Sequence, residues 1–445
     1  MDKFVDIVGC FISNKQRTVE TLAKLYEDET YLINIISSLV FKRLNPESFK
    51  GKQILLKPNW VKHSSNETDE ICLRTNTNFL LALLRVVLEC EPSSVLIGDA
   101  PIQGCNWDKV VDNNLIARIV DLSEKFNIPV RVKDFRRRVF NPDKNNPVKD
   151  RNPLSEYVIF DLGTKSYLEP ITTAEKNLFR VNDYHPDRLA ESHRPGVHKY
   201  CITKELFEAD IVISVPKVKS HQKTGITAAL KNLVGVNGDK DFLPHHRIGS
   251  IAAGGDCYPD KNFFRTLAER SLDFANRHQG ENVYWLTRKF TTVLWRLSRP
   301  KAVHHLGAAW YGNDTTWRMV LDLNVIALYG SADGKIMETP QRQHFSLCDG
   351  IVGGQGDGPL RPEPFELGVV SFCNHSGLND IAMALLMGFD TTRIAMLNEL
   401  ETIIKDENVD LTYNYTPIQR SDLAQFATKA KASPGWEGYV NFKND

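Results

Sequence analysis

Apolar residues fall along this chain in two alternating rhythms: short β-branched runs that stop at turn residues, and longer stretches of helical spacing. Residues 4–8 read as a short strand, and YLINIISSLVFKRL at 31–44 reads as an amphipathic helix packed on the outside. Residues 53–56 form the next strand, which ends in KPNW at 57–60. A polar loop over 64–70 then leads to a helix over 78–89 and to the strand SSVLIGDAP at 93–101. Strand, helix, strand with polar strand ends is the rhythm of a parallel sheet with crossover helices. Residues 136–200 break it: they are rich in Arg, Asp, Asn and Pro, carry β-like pieces at 157–161 and 199–202, and read as a β-rich insertion.

The sheet resumes at residues 210–215, a buried run that stops at Pro216. Lys217, Lys219, His221, Lys223 and Lys231 follow immediately, in a segment with Gly225 and a helix-compatible stretch at 226–234. Ligands of open α/β sheets bind just beyond the carboxyl ends of strands, so cations gathered there are well placed for chemistry.

Residues 261–299 turn helical. Val283, Leu286, Phe290, Val293, Leu294 and Leu297 fall at helix spacing, with Arg288, Lys289, Arg296 and Arg299 among them and Trp285 and Trp295 beside them. Such a stripe serves as core, as a subunit contact in a homodimer, or as a face lying on an anionic membrane surface. A helix over 315–329 precedes a Gly-rich loop, GGQGDGP at 353–359, a strand at 367–372 and a helix over 378–387 capped by Gly388; the tail beyond Tyr413 reads as irregular. The expected architecture is therefore α/β: an α/β domain at 1–260 carrying the insertion 136–200, then a helical segment and a second α/β lobe at 261–445, with the site between them.

Length and composition narrow the class. A chain of 445 residues exceeds one ordinary core, and 42% hydrophobic with 25% charged residues is globular usage. With 55 basic and 55 acidic residues the net charge is zero, which argues against nucleic acid as a partner and makes any anion site local. No run approaches the roughly 18 apolar residues of a spanning helix, and the start has no signal-peptide core, so a cytoplasmic location is expected. The eight cysteines, at 10, 72, 90, 105, 201, 257, 348 and 373, form no CxxC pair, so no iron–sulfur or zinc ligand run is legible.

Four groups carry candidate chemistry. Lys57 and Asn59 at a strand end can place a charge and orient an oxygen on phosphate or carboxylate. In the central cluster His221 is the candidate acid or base, and Lys217, Lys219 and Lys231 are the anion clamp, with mutual repulsion lowering their pKa values. His245 and His246, with Asp239, Asp241 and Asp256 nearby, could ligate a divalent metal in an irregular loop; His304 and His305, with no carboxylate near them, read as structural. Gly356 and Asp357 in the Gly-rich loop could meet a phosphate, with Asp349 and Asp380 facing the same cleft or serving as caps.

At these residues the chain resembles the domain-of-unknown-function family 362. The motifs are KPN at 57–59, GDAP at 98–101, VPKVKSH at 215–221, ALKNLVG at 229–235, LPHHR at 243–247, DGIVGGQGDGP at 349–359, and ND with MGFD between 379 and 390. Asn232 joins the substrate-binding candidates through this resemblance. Some relatives add a ferredoxin-like cysteine module, which is missing here, so the resemblance implies no iron–sulfur cluster. More distantly, His221, Gly225 and Lys231 resemble the arrangement in nickel-pincer lactate racemases, which implies His221 as a base and Lys231 as the anchor of a nucleotide-derived metal cofactor. Those enzymes add a second histidine from an earlier strand end, where this chain has Asp99. The expected activity is acid/base chemistry on a small phosphorylated or carboxylated molecule. The alternatives are a non-catalytic ligand-binding or membrane-associated scaffold, and a metal-cofactor isomerase.

Overall fold

The computed structural model describes residues 2–10, 17–140, 148–174, 176–182, 184–298, 307–404 and 407–441. Arg299, His304 and His305 lie outside the described residues. Among the described residues twelve strands form the central sheet: β1 (Lys3–Gly9), β2 (Gln53–Pro58), β3 (Ser94–Asp99), β4 (Val130–Asp134), β5 (Ile211–Val215), β6 (Lys217–His221), β7 (Gly225–Thr227), β8 (Gln343–Gln355), β9 (Glu363–Phe365), β10 (Val369–Cys373), β11 (Val409–Tyr413) and β12 (Thr416–Pro417). The main path runs β12-β11-β1-β10-β8-β5-β2-β3-β4, with β6 paired to β7 and β8, and β9 to β8. The run β8-β5-β2-β3-β4 is parallel throughout, and β10 joins β8 and β1 antiparallel.

Strands from both halves of the chain thus share one sheet, and a division at residue 260 does not separate two sheets. The reason is hydrogen bonding: the edge of β5 facing away from β2 is completed by β8, so the second half closes an edge that would otherwise stay open. The insertion stands off this sheet, with the hairpin Arg138–Phe140 and Val148–Asp150 and with Tyr157–Asp161 paired to Val197–Thr203.

Alternation along the strands sorts side chains into two layers. Ile54 and Leu56 of β2 join an apolar cluster with the helices Glu29–Arg43, Thr77–Leu88 and Asn113–Phe126. Leu55, between them, joins the cluster on the opposite face with Thr316–Tyr329 and Ser376–Leu386. Each such fully buried Leu or Ile contributes roughly 1.5–3 kcal/mol, so the sheet is held from both sides. Side-chain caps set the helix starts: Asn76 accepts the Asn78 and Phe79 N–H groups, and Asp112 accepts that of Leu115. Gly388, at φ +76°, follows the helix Ser376–Leu386 as the sequence predicts.

Three local expectations change. The chain does not leave the sheet at Pro216 but re-enters it at once as β6, where Lys217 pairs with Asp349 and Lys219 with Gly354 across a register shift. The expected Gly-rich loop begins inside β8, with Gly353 paired to Phe365 and Gly354 to Pro364. A Cβ on Gly354 would lie 2.7 Å from the Cβ of Lys219, and one on Gly358 would lie 2.0 Å from the carbonyl oxygen of Ser220, so these glycines let β6 pack close. The tail beyond Tyr413 also carries structure, β12 and the 3₁₀ helix Arg420–Phe426. Among the described residues no helix is long and apolar enough to cross a membrane.

Candidate functional site

The order of the parallel strands locates a crevice. β2, β3 and β4 step outward in one direction, whereas β5 lies on the other side of β2. Ligands in such sheets bind outside the carboxyl ends of the strands flanking this reversal. Lys57 sits near that end of β2, Asp99 ends β3, and the segment after β5 delivers Lys217 to Asn232.

Asn232 straddles the reversal. Its Nδ2 donates to the Lys57 carbonyl at 3.0 Å and to Ser214 Oγ at 2.9 Å. Its Oδ1 accepts from Lys57 Nζ at 3.0 Å and from Asn59 Nδ2 at 3.1 Å. Lys57 Nζ also lies 2.6 Å from Asp99 Oδ1, an oxygen that accepts the Ala100 N–H, while Asp99 Oδ2 accepts the Trp60 N–H at 2.7 Å. Asn59 Oδ1 accepts from Lys219 Nζ at 2.9 Å, and Lys219 donates to the Leu73 carbonyl as well. The structure thus joins Lys57, Asn59, Asp99, Lys219 and Asn232 in one buried network, which forms the floor of the crevice. Gly235 closes it: a Cβ there would lie 1.9 Å from Asp99 Oδ1 and 2.6 Å from Lys57 Nζ. Gly235→Ala is expected to destabilise the fold by about 1–3 kcal/mol, measured by urea unfolding; an unchanged midpoint would mean the pair yields freely.

Above this floor the cations outnumber their partners. Lys231 is half-buried on the short helix Ala229–Asn232, whose first amides donate to Asp380, Ala229 at 2.7 Å and Leu230 at 3.1 Å. Burial, then repulsion from Lys240, Lys223 and Lys57, pushes Lys231 down to about 7. Burial pushes Lys219 down to about 7 as well, with Lys217 and Lys231 adding repulsion. Lys223 and Lys240 fall to about 8, burial again being the main cause, and Lys240 Nζ holds the Ala100 carbonyl at 3.1 Å.

Two imidazoles share this field with opposite polarity. His221 Nδ1 accepts the N–H groups of Lys223 at 3.0 Å and Thr224 at 3.2 Å, so the neutral ring carries its proton on Nε2 and is a donor there. His245 Nδ1 lies 2.7 Å from the Leu243 carbonyl, which can only accept, so its proton sits on Nδ1 and Nε2 keeps a lone pair. Burial first, then the surrounding lysines, hold both rings well below the usual histidine range.

Several predicted residues are committed elsewhere. Lys217, expected in the clamp, is fully buried against Asp349 Oδ2 at 3.0 Å and Tyr26 Oη at 2.7 Å, and that carboxylate also takes the Asn76 N–H. Its charge is neutralised internally. Gly356 donates its N–H to the Lys431 carbonyl and accepts from Ser220 Oγ, while Asp357 pairs with Arg361 at 3.1 Å and takes the Gln222 amide, so the loop's polar groups already have partners. The metal trio is not gathered. Asp256 accepts from the Arg247 N–H, Thr315 Oγ1 and the Asp314 N–H, and His246 sits in a strand pair with Arg180, away from the direction of its neighbour His245. Among the described residues no group of three or more His, Cys, Asp or Glu is placed to hold a metal ion. Asp99, which stands where the resemblance to the racemases would require a second histidine, is a carboxylate with both oxygens engaged, one by Lys57 and the Ala100 N–H and the other by the Trp60 N–H. The residues present therefore do not fit that nickel cofactor's proton-transfer pair.

Sequence reading missed Lys240, the donor–acceptor polarity of His221 and His245, and the Tyr26 partner of Lys217. Lys240 and Tyr26 reach the site only through contacts across the fold, and the two ring polarities depend on turn geometry within two or three residues of each histidine, which periodicity does not report. A separate cleft of about 100 Å³ lies on the insertion, lined by Thr172, Lys176, Asn177, His193, Arg194 and Arg247 among others, and none of the crevice lysines reaches it.

Residues 164–384 match the family described as "Domain of unknown function (DUF362)". The match includes Lys219, His221, Lys231, Lys240 and His245 and ends short of Lys57 and Asp99, which lie before it. No curated protein matches this chain. Among solved structures, a crystal structure of a protein from Thermotoga maritima is similar at a TM-score of 0.33 and 11% identity, over 78% of this chain and 56% of that one, so this chain spans little more than half of that protein's length.

Proposed function

From the premise that residues 164–384 carry the domain of unknown function 362, we propose that this protein is an enzyme acting by acid/base chemistry on a small phosphorylated or carboxylated substrate held in the lysine crevice. The observation that carries this reading is the pair of imidazoles of opposite polarity beside incompletely neutralised lysines. Lys219, Lys223, Lys231 and Lys240 are the anion clamp. His221 donates from Nε2 to an oxygen that gains charge during reaction, and His245 accepts a proton at Nε2. With the crevice empty, both rings are too weakly basic to work near neutrality. A bound anion offsets the lysine charges that depress them and returns His245 toward the range where a general base is effective.

The test is a two-part measurement. Sulfate and pyrophosphate are titrated calorimetrically at low ionic strength, and a panel of phosphorylated and carboxylated metabolites is screened for turnover. His221→Asn and His245→Asn are expected to lower turnover by about 10²–10⁴-fold while leaving sulfate affinity within a few-fold. Anion binding with no turnover in any screen would instead support a non-catalytic ligand-binding protein. No anion binding would remove the reading altogether.

A further inference from the structure

Residues 263–297 form a helical hairpin, Phe263–Arg277 and Asn282–Leu297, that the crevice does not use. The helices pack antiparallel through Thr291 against Ser271 and through the Arg265 guanidinium over the Trp295 ring, and Tyr284, Leu294 and Trp295 supply the buried side of the second helix. This leaves a second apolar stripe facing outward. Leu286 is 70% exposed, Phe290 52%, Val293 51% and Leu297 62%, at positions i, i+4, i+7 and i+11 of one face. Of the three readings of this stripe, core does not hold for these four residues: the helix is apolar on two sides, and one hairpin partner covers one side.

The border of the exposed face says what covers it. Lys289 and Arg296 are exposed beside it, Trp285 is half-exposed at its rim, and residues 282–297 contain no Asp or Glu. The first helix exposes Phe263, Phe264 and Phe274 as well as Arg270. Large aliphatic and aromatic residues bounded by cations, with tryptophan at the boundary, suit a helix lying in the interface of an anionic bilayer, its apolar side among the acyl chains and its cations at the headgroups. A second copy of the chain suits it less, because a two-fold contact would bring the same uncompensated cations together.

We propose that the exposed face of the 282–297 helix docks this protein reversibly onto an anionic membrane surface. The experiment is co-sedimentation of the full chain with phosphatidylcholine vesicles, with and without phosphatidylserine. Binding is expected to vesicles containing phosphatidylserine, to weaken with added salt, and to fall at least about tenfold in Lys289→Glu/Arg296→Glu, since each cation near such a surface contributes measurably. Leu286→Ser/Phe290→Ser is expected to abolish it while leaving the circular dichroism spectrum unchanged, because all four side chains are exposed. Protein that stays in the supernatant with either lipid overturns the proposal. So does a dimer in solution that the Leu286→Ser/Phe290→Ser variant converts to monomer, which would assign the face to a second copy.

Discussion

Asp349→Ala is expected to lower the unfolding free energy by about 3–5 kcal/mol, the cost of leaving a buried charge without its counter-charge. Lys217 and Asp349 are both fully buried, 3.0 Å apart, with Tyr26 bridging them and its ring beneath the ammonium. Removing the carboxylate strands the Lys217 ammonium in the core, exposes the Asn76 N–H to the same loss, and takes a hydrogen-bond acceptor from Tyr26. Burial already lowers the Lys217 pKa despite the carboxylate beside it, so without that carboxylate the lysine can shed its proton, which holds the loss to this range instead of the full cost of an isolated buried charge. The double variant Lys217→Met/Asp349→Leu replaces the pair with apolar groups of similar size and is expected to recover most of the loss. Chemical unfolding of the three proteins checks this. A single variant within 1 kcal/mol of the parent, roughly the scale of an exposed pair, would show that water reaches the site.

Sulfate affinity is expected to fall steeply above pH 7. Sulfate keeps its charge across this range, so the change belongs to the protein. Lys219 and Lys231, both lowered to about 7, must be protonated to hold the anion, and each that takes up a proton on binding costs roughly tenfold in affinity per pH unit above its pKa. Lys223 and Lys240, lowered to about 8, add their share above that pH. The ligand-free protein behaves oppositely. Its lysines titrate below their unfolded values, so above about pH 7 the unfolded chain binds more protons than the folded one, and stability from these groups rises with pH. Below pH 7 the clamp is fully charged in both states and its repulsion is fully present. The buried carboxyls Asp380 and Glu269, raised to about 7, act mainly below that pH and in the other direction, so the window to measure is pH 7 to 9. Thermal melts with and without sulfate should converge as pH rises. Lys231→Ala is expected to lose about 10–100-fold in sulfate affinity at pH 7, the strength of one charge-assisted contact, and to flatten the pH profile. A profile already flat in the parent protein would mean that these lysines do not hold the anion.

Much of this arrangement is legible along the chain. The β-branched run at 211–215 reads as an interior strand, because a strand covered on both faces needs apolar side chains at every position. Lysines directly after it mark the carboxyl end of a parallel strand, and KPN and GDAP mark two more ends in the same crevice. Other features were hidden for physical reasons. The glycines of β8 lower strand propensity and suggest a loop, yet Gly354 is needed because Lys219 packs against it, as is Gly358 just beyond the strand, against Ser220. Lys217 and Lys219 look equivalent in sequence, but one meets Asp349 and the other Asn59, a choice set by which long-range neighbour fills each place.

The sequence by itself determined that this is an α/β protein with parallel strands, where the strands end, and that basic residues and histidine cluster at one of those ends. These properties depend on local periodicity and on the solvation of side chains, which neighbouring residues carry. The tertiary structure alone decided which charges are neutralised, which nitrogen of His221 and of His245 holds the proton, that both halves share one sheet, and that one side of the 282–297 helix has no partner among the described residues. The histidine states depend on turns that bring backbone groups two or three residues away onto one ring nitrogen, and the others on groups tens to hundreds of residues apart meeting or failing to meet, with a hydrogen bond or a charge at about 3 Å settling the state of its neighbour.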